Sequence, residues 1–194
     1  GRAASKSIRT SIVAVSQTTL EACVASVLGA ADGGFVILGT SFGGRVALEV
    51  ALAAPERVKG LVVIGSGAGP VADPAAGLRR SARLRAGELE QVAAEMGAII
   101  SHLPGPHGAA TREAFIAMMR RQGAEFVARQ SDALAKRGDL WPRLQEITCP
   151  ALMLWGKHDQ FSPAADGQRM ASLMPRGRYV ELADCGHFPT LEYP

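Results

Sequence analysis

Cysteine and aromatic residues are scarce in this 194-residue chain: there are three cysteines, and Phe, Trp and Tyr together make up 5%. The cysteines are odd in number and lack the spacing of a zinc site, so neither a metal motif nor a disulfide framework is indicated. We therefore expect a reduced, cytoplasmic compartment. Apolar residues account for 47% of the chain, which is enough for one domain with a substantial core.

Long apolar runs are also missing. No stretch is long enough to cross a bilayer, and the first residues do not show the basic and then apolar pattern of a secretory leader. We therefore expect no membrane partner.

The charge balance is slightly basic, with a formal net charge of +3. Arginines cluster over residues 79–85 and again at Arg120 and Arg121. Such a stripe fits an anionic surface or a solvated helix face, and the second interpretation is favoured. No aromatic side chains alternate with these arginines to stack on bases, so we expect no nucleic-acid partner.

Short apolar runs alternate with helical patterns along most of the chain. Apolar runs at residues 35–38, 61–64 and 151–155 predict strands, the first of them buried on both faces, and residues 179–182 predict a fourth. Residues 8–15 are rich in β-branched side chains and could form a further strand. This order predicts an α/β fold: a mostly parallel sheet of four or five strands flanked by helices.

A helical insertion interrupts the predicted sheet. Residues 78–137 carry only helical signals, apart from a break rich in Pro and Gly at residues 102–106. We therefore assign residues 1–69 and 141–194 to the core and residues 70–140 to a helical cap.

The strongest chemical signal is a G-x-S-x-G motif at residues 39–43, between the first apolar run and a helix predicted over residues 45–54. A serine in such a strand–turn–helix element lies on a tight turn that holds its hydroxyl above the sheet. Ser41 is therefore the candidate nucleophile. The backbone N–H of Phe42, at the helix start, is the candidate oxyanion-hole donor.

A serine nucleophile needs a base, and the base needs a carboxylate that orients it. His187 follows the fourth predicted strand and Asp159 follows the third, so both lie at the sheet edge where Ser41 emerges. The order Ser, Asp, His along the chain is the one expected for this architecture. Asp184, three residues before His187, is the rival acid, which we interpret as shaping its loop.

The remaining chemical signals are weaker. His102 and His107 lie in the break of the insertion, where we expect a solvated loop, and His158 directly precedes Asp159. The glycine-rich residues 65–69 lack the G-x-G-x-x-G spacing of a dinucleotide site and are interpreted as a turn into the cap. We therefore expect no cofactor and no metal.

Four segments resemble those of the α/β-hydrolase superfamily: the elbow GTSFGG, then APERVKGLVVIGS, CPALMLWGKHDQFSP around Asp159, and CGHFPTLEYP around His187. The resemblance covers about residues 17–194, with residues 70–140 matching only as a cap. It implies the α/β-hydrolase fold with a Ser41–Asp159–His187 triad, and is closest to small esterases, enol-lactonases and C–C hydrolases. The sequence departs from the family pattern at both ends. Before the elbow, the family's N-terminal strands and the loop with the second oxyanion-hole donor have no counterpart here, and after residue 194 the family's final helix has none.

The implied function is hydrolysis of a small-molecule carboxylic ester or lactone through an acyl-enzyme. Two alternatives stay open: a C–C bond hydrolase with the same triad, and a catalytically weak or inactive binding or scaffold module. Without the family's preceding strands, the strand at residues 35–38 has an open edge. We expect residues 8–15 or a second copy in a homodimer to pair with it, unless the chain is a piece of a longer protein.

Overall fold

A computed structural model describes residues 9–194. From residue 20 onward, strands and helices follow one another in the predicted order. None of the helices described here combines the length with the apolar character that a bilayer crossing requires. The elements are α1 (Leu20–Ala30), β1 (Phe35–Thr40), α2 (Phe42–Ala53), β2 (Val58–Ile64), α3 (Pro74–Arg85), α4 (Leu89–Ile100), α5 (Gly108–Gln122), α6 (Ala124–Ala135), a 3₁₀ helix (Trp141–Glu146), β3 (Ala151–Gly156), α7 (Ala164–Leu173), β4 (Gly177–Leu182) and α8 (Pro189–Glu192).

The four strands form one parallel sheet in the order β1-β2-β3-β4. The predicted α/β class, with a parallel sheet and packed helices, is therefore confirmed. Because the strands are parallel, their carboxyl ends lie at one edge of the sheet, and the loops after β1, β3 and β4 meet there. The elbow strand β1 is an edge strand among the described residues.

The prediction of a strand at residues 8–15 is wrong for residues 9–15, which pair with no strand, and residue 8 lies outside the described part. This segment packs on the core instead, where Val15 is buried and Val13 contacts the same hydrophobic cluster. The Gln130 side chain of α6 donates a hydrogen bond to the Val15 carbonyl at 2.9 Å. These contacts hold the segment away from the edge of β1.

The two faces of the sheet differ in burial. Helix α2 packs on β1 and β2, and α7 packs on β3 and β4, so that Val63 and Met153 are fully buried on that face. On the opposite face Val36 and Leu38 are 68% and 60% exposed. The prediction that β1 is buried on both faces is therefore wrong, because no described residue packs over Val36 and Leu38.

Helices α3–α6 are inserted between β2 and β3 and have a hydrophobic cluster of their own, around Leu84, Ile100 and Phe115. The helical character of the insertion agrees with the sequence pattern. The division at residues 70 and 140 into core and cap stays a prediction.

A buried arginine joins the core to both ends of the insertion. Arg45 of α2 is 0% exposed and forms a salt bridge with Glu49 at 2.8 Å. Its guanidinium donates to the carbonyls of Ala68 and Gly69, where the chain leaves the core, and to that of Gly138, where it returns. These bonds satisfy the buried charge and anchor both connections on the helix that follows the elbow.

Candidate active site

Ser41 lies on a strained turn between β1 and α2. With φ of 53° it is the one non-glycine residue with positive φ among residues 9–194, a conformation that is costly for a residue with a Cβ and persists only where its surroundings enforce it. The Ser41 N–H donates to the Ile64 carbonyl at 2.8 Å, and the Ser41 carbonyl accepts from the Arg45 N–H at 3.1 Å. The turn is therefore held from both the neighbouring strand and its own helix.

The structure brings the three predicted side chains together. His187 Nε2 lies 2.8 Å from Ser41 Oγ, and His187 Nδ1 lies 2.8 Å from Asp159 Oδ2. With its proton on Nδ1, the imidazole donates to the carboxylate and accepts from the serine hydroxyl. The His187 and Asp159 side chains are only 4% and 1% exposed, so water hardly competes for these bonds.

Backbone groups fix the carboxylate and the imidazole. Asp159 Oδ1 accepts hydrogen bonds from the N–H groups of Phe161 and Ser162 at 2.8 and 2.9 Å, which leaves Oδ2 for the imidazole. The His187 N–H donates to the Ile100 carbonyl at the end of α4, at 2.8 Å. The loop that carries the imidazole is therefore tied to the inserted helices, a contact that sequence spacing could not predict.

The oxyanion-hole candidate is the N–H of Phe42. Phe42 is the first residue of α2, so its N–H has no acceptor within the helix, and the helix dipole favours negative charge at this end. No residue between 9 and 39 lines the cavity beside Ser41. The described residues before the elbow therefore add no second donor from a preceding loop.

The other polar candidates lie outside this hydrogen-bond chain. Asp184, the rival acid, is exposed, whereas the imidazole of His187 bonds to Asp159. His107 is exposed, as expected for a solvated loop. Burial, together with the negative charge of Glu192, raises the pKa of the Cys185 thiol to about 12, so it does not supply a thiolate nucleophile.

A cavity of about 400 Å³ opens beside Ser41 and His187, between the sheet edge and the inserted helices. Its walls are largely apolar, with Met96, Phe115 and Met119 supplied by α4 and α5. Such a cavity has the size and character of a small-molecule site.

Two arginines that the sequence did not single out line this cavity, Arg80 of α3 and Arg137 after α6. Burial lowers the pKa of both, that of Arg137 to about 10, where the nearby charge of Arg45 adds to the effect and Asp166 opposes it. Neither forms a salt bridge within the described part of the chain, and the buried Arg137 Nε has no hydrogen-bond partner there.

The other arginines of the basic stripe behave as the solvated-face interpretation predicts. Four of them are partly exposed and paired: Arg79 with Asp73, Arg83 with Glu88 and Glu95, Arg85 with Glu125 and Asp132, and Arg120 with Glu90. Arg121 is exposed. Arg80 differs because it shares a helix face with Ala76 and the buried Leu84 at intervals of four. That periodicity is the signal by which the sequence could have separated it from its neighbours.

With this geometry described, comparison with known proteins defines the class. A model of the alpha/beta hydrolase family matches residues 9–194, so the chain belongs to that family. The predicted family resemblance is therefore confirmed.

The chain is similar to named hydrolases over part of their length. It is 32% identical over 168 residues to the 2-hydroxy-6-oxononadienedioate/2-hydroxy-6-oxononatrienedioate hydrolase 1 of Dechloromonas aromatica (strain RCB), and 30% identical over 164 residues to the enzyme of the same type from Escherichia coli (strain K12). Each alignment covers 81% of this chain and 57% of the relative, so the chain spans less than two thirds of these proteins.

Solved structures agree on the fold. A thermophilic esterase from Thermogutta terrifontis is 28% identical with a TM-score of 0.82, over 91% of this chain and 68% of the esterase. The enol-lactonase from Burkholderia xenovorans LB400, at 24% identity and a TM-score of 0.78 over 90% of this chain and 68% of the lactonase, shows a likeness of fold alone.

Proposed function

We propose that this protein is a serine hydrolase that cleaves a carboxylic ester or lactone through an acyl-enzyme. The observation that carries the proposal is the hydrogen-bond chain Ser41–His187–Asp159, with both bonds at 2.8 Å, on the strained turn of the family's elbow. The serine is aligned for deprotonation and the base is already oriented, which is the arrangement that nucleophilic acyl transfer requires.

In the acylation step His187 Nε2 takes the proton of Ser41 as Oγ attacks the carbonyl carbon. Asp159 stabilises the imidazolium that forms, and the N–H of Phe42 donates to the developing oxyanion. His187 then returns the proton to the leaving alkoxide, which departs as the alcohol. In the second half, His187 deprotonates a water molecule that attacks the acyl group, and Ser41 is released with its proton.

The second candidate function is hydrolysis of a carbon–carbon bond by the same three residues. It is favoured by the relatives at 30–32% identity, whose names describe hydrolases of 2-hydroxy-6-oxo dioates. Such substrates carry carboxylates, and Arg80 and Arg137 present to the cavity cations that no acidic residue pairs with in the described part of the chain. Purified protein should therefore be tested on a 6-oxo-dienoic acid alongside simple esters; faster turnover of the keto acid would assign the second function.

A serine-reactive probe tests whether the site is catalytic at all. We expect a fluorophosphonate to label Ser41 of the folded protein, because His187 activates that hydroxyl, and to leave the His187→Ala protein unlabelled. Ser172, which is exposed on α7, serves as an internal control that stays unlabelled. Folded protein that the probe does not label would instead favour the binding or scaffold module.

The two cavity arginines predict a preference for substrates that carry a carboxylate. Replacing Arg80 or Arg137 with Met removes a charge-assisted hydrogen bond of about 1.5–3 kcal/mol. We therefore expect kcat/KM for a p-nitrophenyl half-ester of a dicarboxylic acid to fall by about 10–100-fold. The value of kcat/KM for the neutral p-nitrophenyl butyrate should change by less than about 3-fold. That corresponds to less than the ~1.4 kcal/mol of a tenfold change.

The exposed Arg79, paired with Asp73, gives the matched control, since Arg79→Met should leave both esters unaffected. Equal losses on the charged and the neutral ester would contradict recognition of the carboxylate and indicate a structural role for the arginines.

We further propose that a homodimer covers the open edge and face of β1. Within residues 9–194, β1 is an edge strand, and its unpaired backbone groups together with the exposed Val36 and Leu38 invite association with another chain. Multi-angle light scattering should show a dimer. The Leu38→Glu protein should be a monomer, because dimer formation would bury the new carboxylate in the interface. Leu173→Glu, at a 40% exposed position on α7, is the control. A stable monomer at all protein concentrations would contradict this proposal.

A further inference from the structure

Three side chains of metal-ligand type meet beside the active site, each from a different segment. His102 follows α4 of the insertion, His158 follows β3, and Asp184 follows β4. One ligand atom from each side chain lies within 4.8 Å of the other two. The two imidazole rings stack in parallel, with centroids 3.8 Å apart and an angle of 10° between their planes.

The backbones of these segments are already joined. The His158 N–H donates to the Cys185 carbonyl at 2.9 Å, which ties the loop after β3 to the loop after β4. The carboxylate of Glu192, only 1% exposed, accepts from the N–H groups of His102 and Gly186 at 3.2 and 2.8 Å. The backbone positions of the three segments are therefore fixed by the fold, so ion binding requires side-chain rotation but little ordering of the backbone.

We propose that His102, His158 and Asp184 bind a divalent first-row transition-metal ion, with Zn²⁺ as the best match. Two imidazole nitrogens and one carboxylate oxygen suit zinc, whereas Mg²⁺ and Ca²⁺ prefer oxygen ligands alone. Tetrahedral zinc with bonds of about 2.0–2.1 Å separates its ligand atoms by about 3.3 Å. Because an imidazole lone pair lies in the plane of its ring, binding requires the exposed His158 to turn out of its stack on His102 and the exposed Asp184 to rotate toward the ion, and water completes the coordination.

The ion would act as a clamp between the insertion and the catalytic loops. His158 is adjacent to Asp159, Asp184 lies three residues before His187, and His102 belongs to the insertion that forms the wall of the cavity. Because an ion that binds only the folded state stabilises it, the thermal unfolding midpoint should rise with zinc concentration. This site is distinct from the Ser41–His187–Asp159 chain, and the proposal does not depend on the reaction.

Isothermal titration of ZnCl₂ into EDTA-treated, desalted protein at pH 7.5 tests the site. We expect one equivalent of zinc to bind, and His158→Asn and Asp184→Asn each to weaken binding by about 10-fold or more. The same two substitutions should abolish the zinc-dependent rise in the unfolding midpoint. His107→Asn, an exposed histidine outside the cluster, and His187→Ala, in the active site, should bind zinc like the parent protein.

Two outcomes would overturn the proposal. Absence of stoichiometric zinc binding to the folded parent protein removes the site. Binding that survives in both His158→Asn and Asp184→Asn, or that is lost in His187→Ala, moves the ion elsewhere, to the active site or to a cysteine. Circular dichroism of each variant establishes that the fold is intact before titration.

Discussion

Replacing Ser41 or His187 with Ala is expected to reduce kcat for short-chain p-nitrophenyl esters by up to about 10⁶-fold, nearly the whole contribution of the three residues. Each substitution removes a member of a chain that acts as a unit, because the serine is not deprotonated without the imidazole and the imidazole has no nucleophile without the serine. The double variant should therefore be little slower than either single one. Steady-state kinetics on the purified protein measure this directly.

Matched controls separate chemistry from folding. Ser172→Ala and His107→Asn change the same residue types at exposed positions away from Ser41 and should keep parent rates. Asp159→Asn should cost about 10⁴-fold, since it leaves the ring in the wrong tautomer. Full activity in a folded Ser41→Ala protein would show that the hydrolysis has another origin and would contradict the proposed mechanism.

Among substitutions that add a single methyl group at the elbow, Gly39→Ala is expected to lower the free energy of unfolding the most. A Cβ on Gly39 would lie 2.0 Å from the Gly43 carbonyl oxygen and 2.6 Å from the Gly44 nitrogen. Both are backbone atoms of α2, so no side chain can rotate out of the way and the strand and helix must separate. We expect a loss of more than about 4 kcal/mol, comparable with the entire stability of many domains.

Gly43→Ala is the control four residues away. A Cβ there meets nothing within 4 Å, and the position is helical, so alanine should be neutral or stabilise by about 0.5–1 kcal/mol. Urea unfolding of the two variants gives the free energies of unfolding. A Gly39→Ala protein within about 1 kcal/mol of the parent would contradict the view that close backbone approach holds the elbow.

Local patterns predicted most of the core elements. The apolar runs marked all four strands, and Thr19 caps α1 locally, since its side chain accepts a hydrogen bond from the Ala22 N–H at 3.2 Å. The strand and helix boundaries moved by a few residues; α2 begins at Phe42 because the elbow turn leads directly into it. These features are local, since they depend on periodicity and capping within one segment.

The errors concern what packs against a segment. Residues 9–15 have the β-branched composition of a strand, but they pack on the core beside α6 instead. Likewise the apolar run of β1 predicts a strand buried on both faces, but in the structure Leu38 is 60% exposed. The composition of a segment indicates that it could form a strand. Whether it does so, and whether its faces are buried, depends on which neighbouring segments pack against it.

By itself, the sequence determined the α/β class, the elbow, and the three residues proposed for catalysis, because strand–turn–helix chemistry and the carboxyl ends of parallel strands place Ser41, Asp159 and His187 at one edge. Only the tertiary structure decided that Arg80 and Arg137 face the cavity without a salt-bridge partner among residues 9–194. It alone gathered His102, His158 and Asp184 from loops far apart in the chain. The physical reason is that such contacts arise from how helices and loops pack across the sheet edge. Spacing along the chain can place Arg80 on one face of its helix, but it does not determine what that face meets.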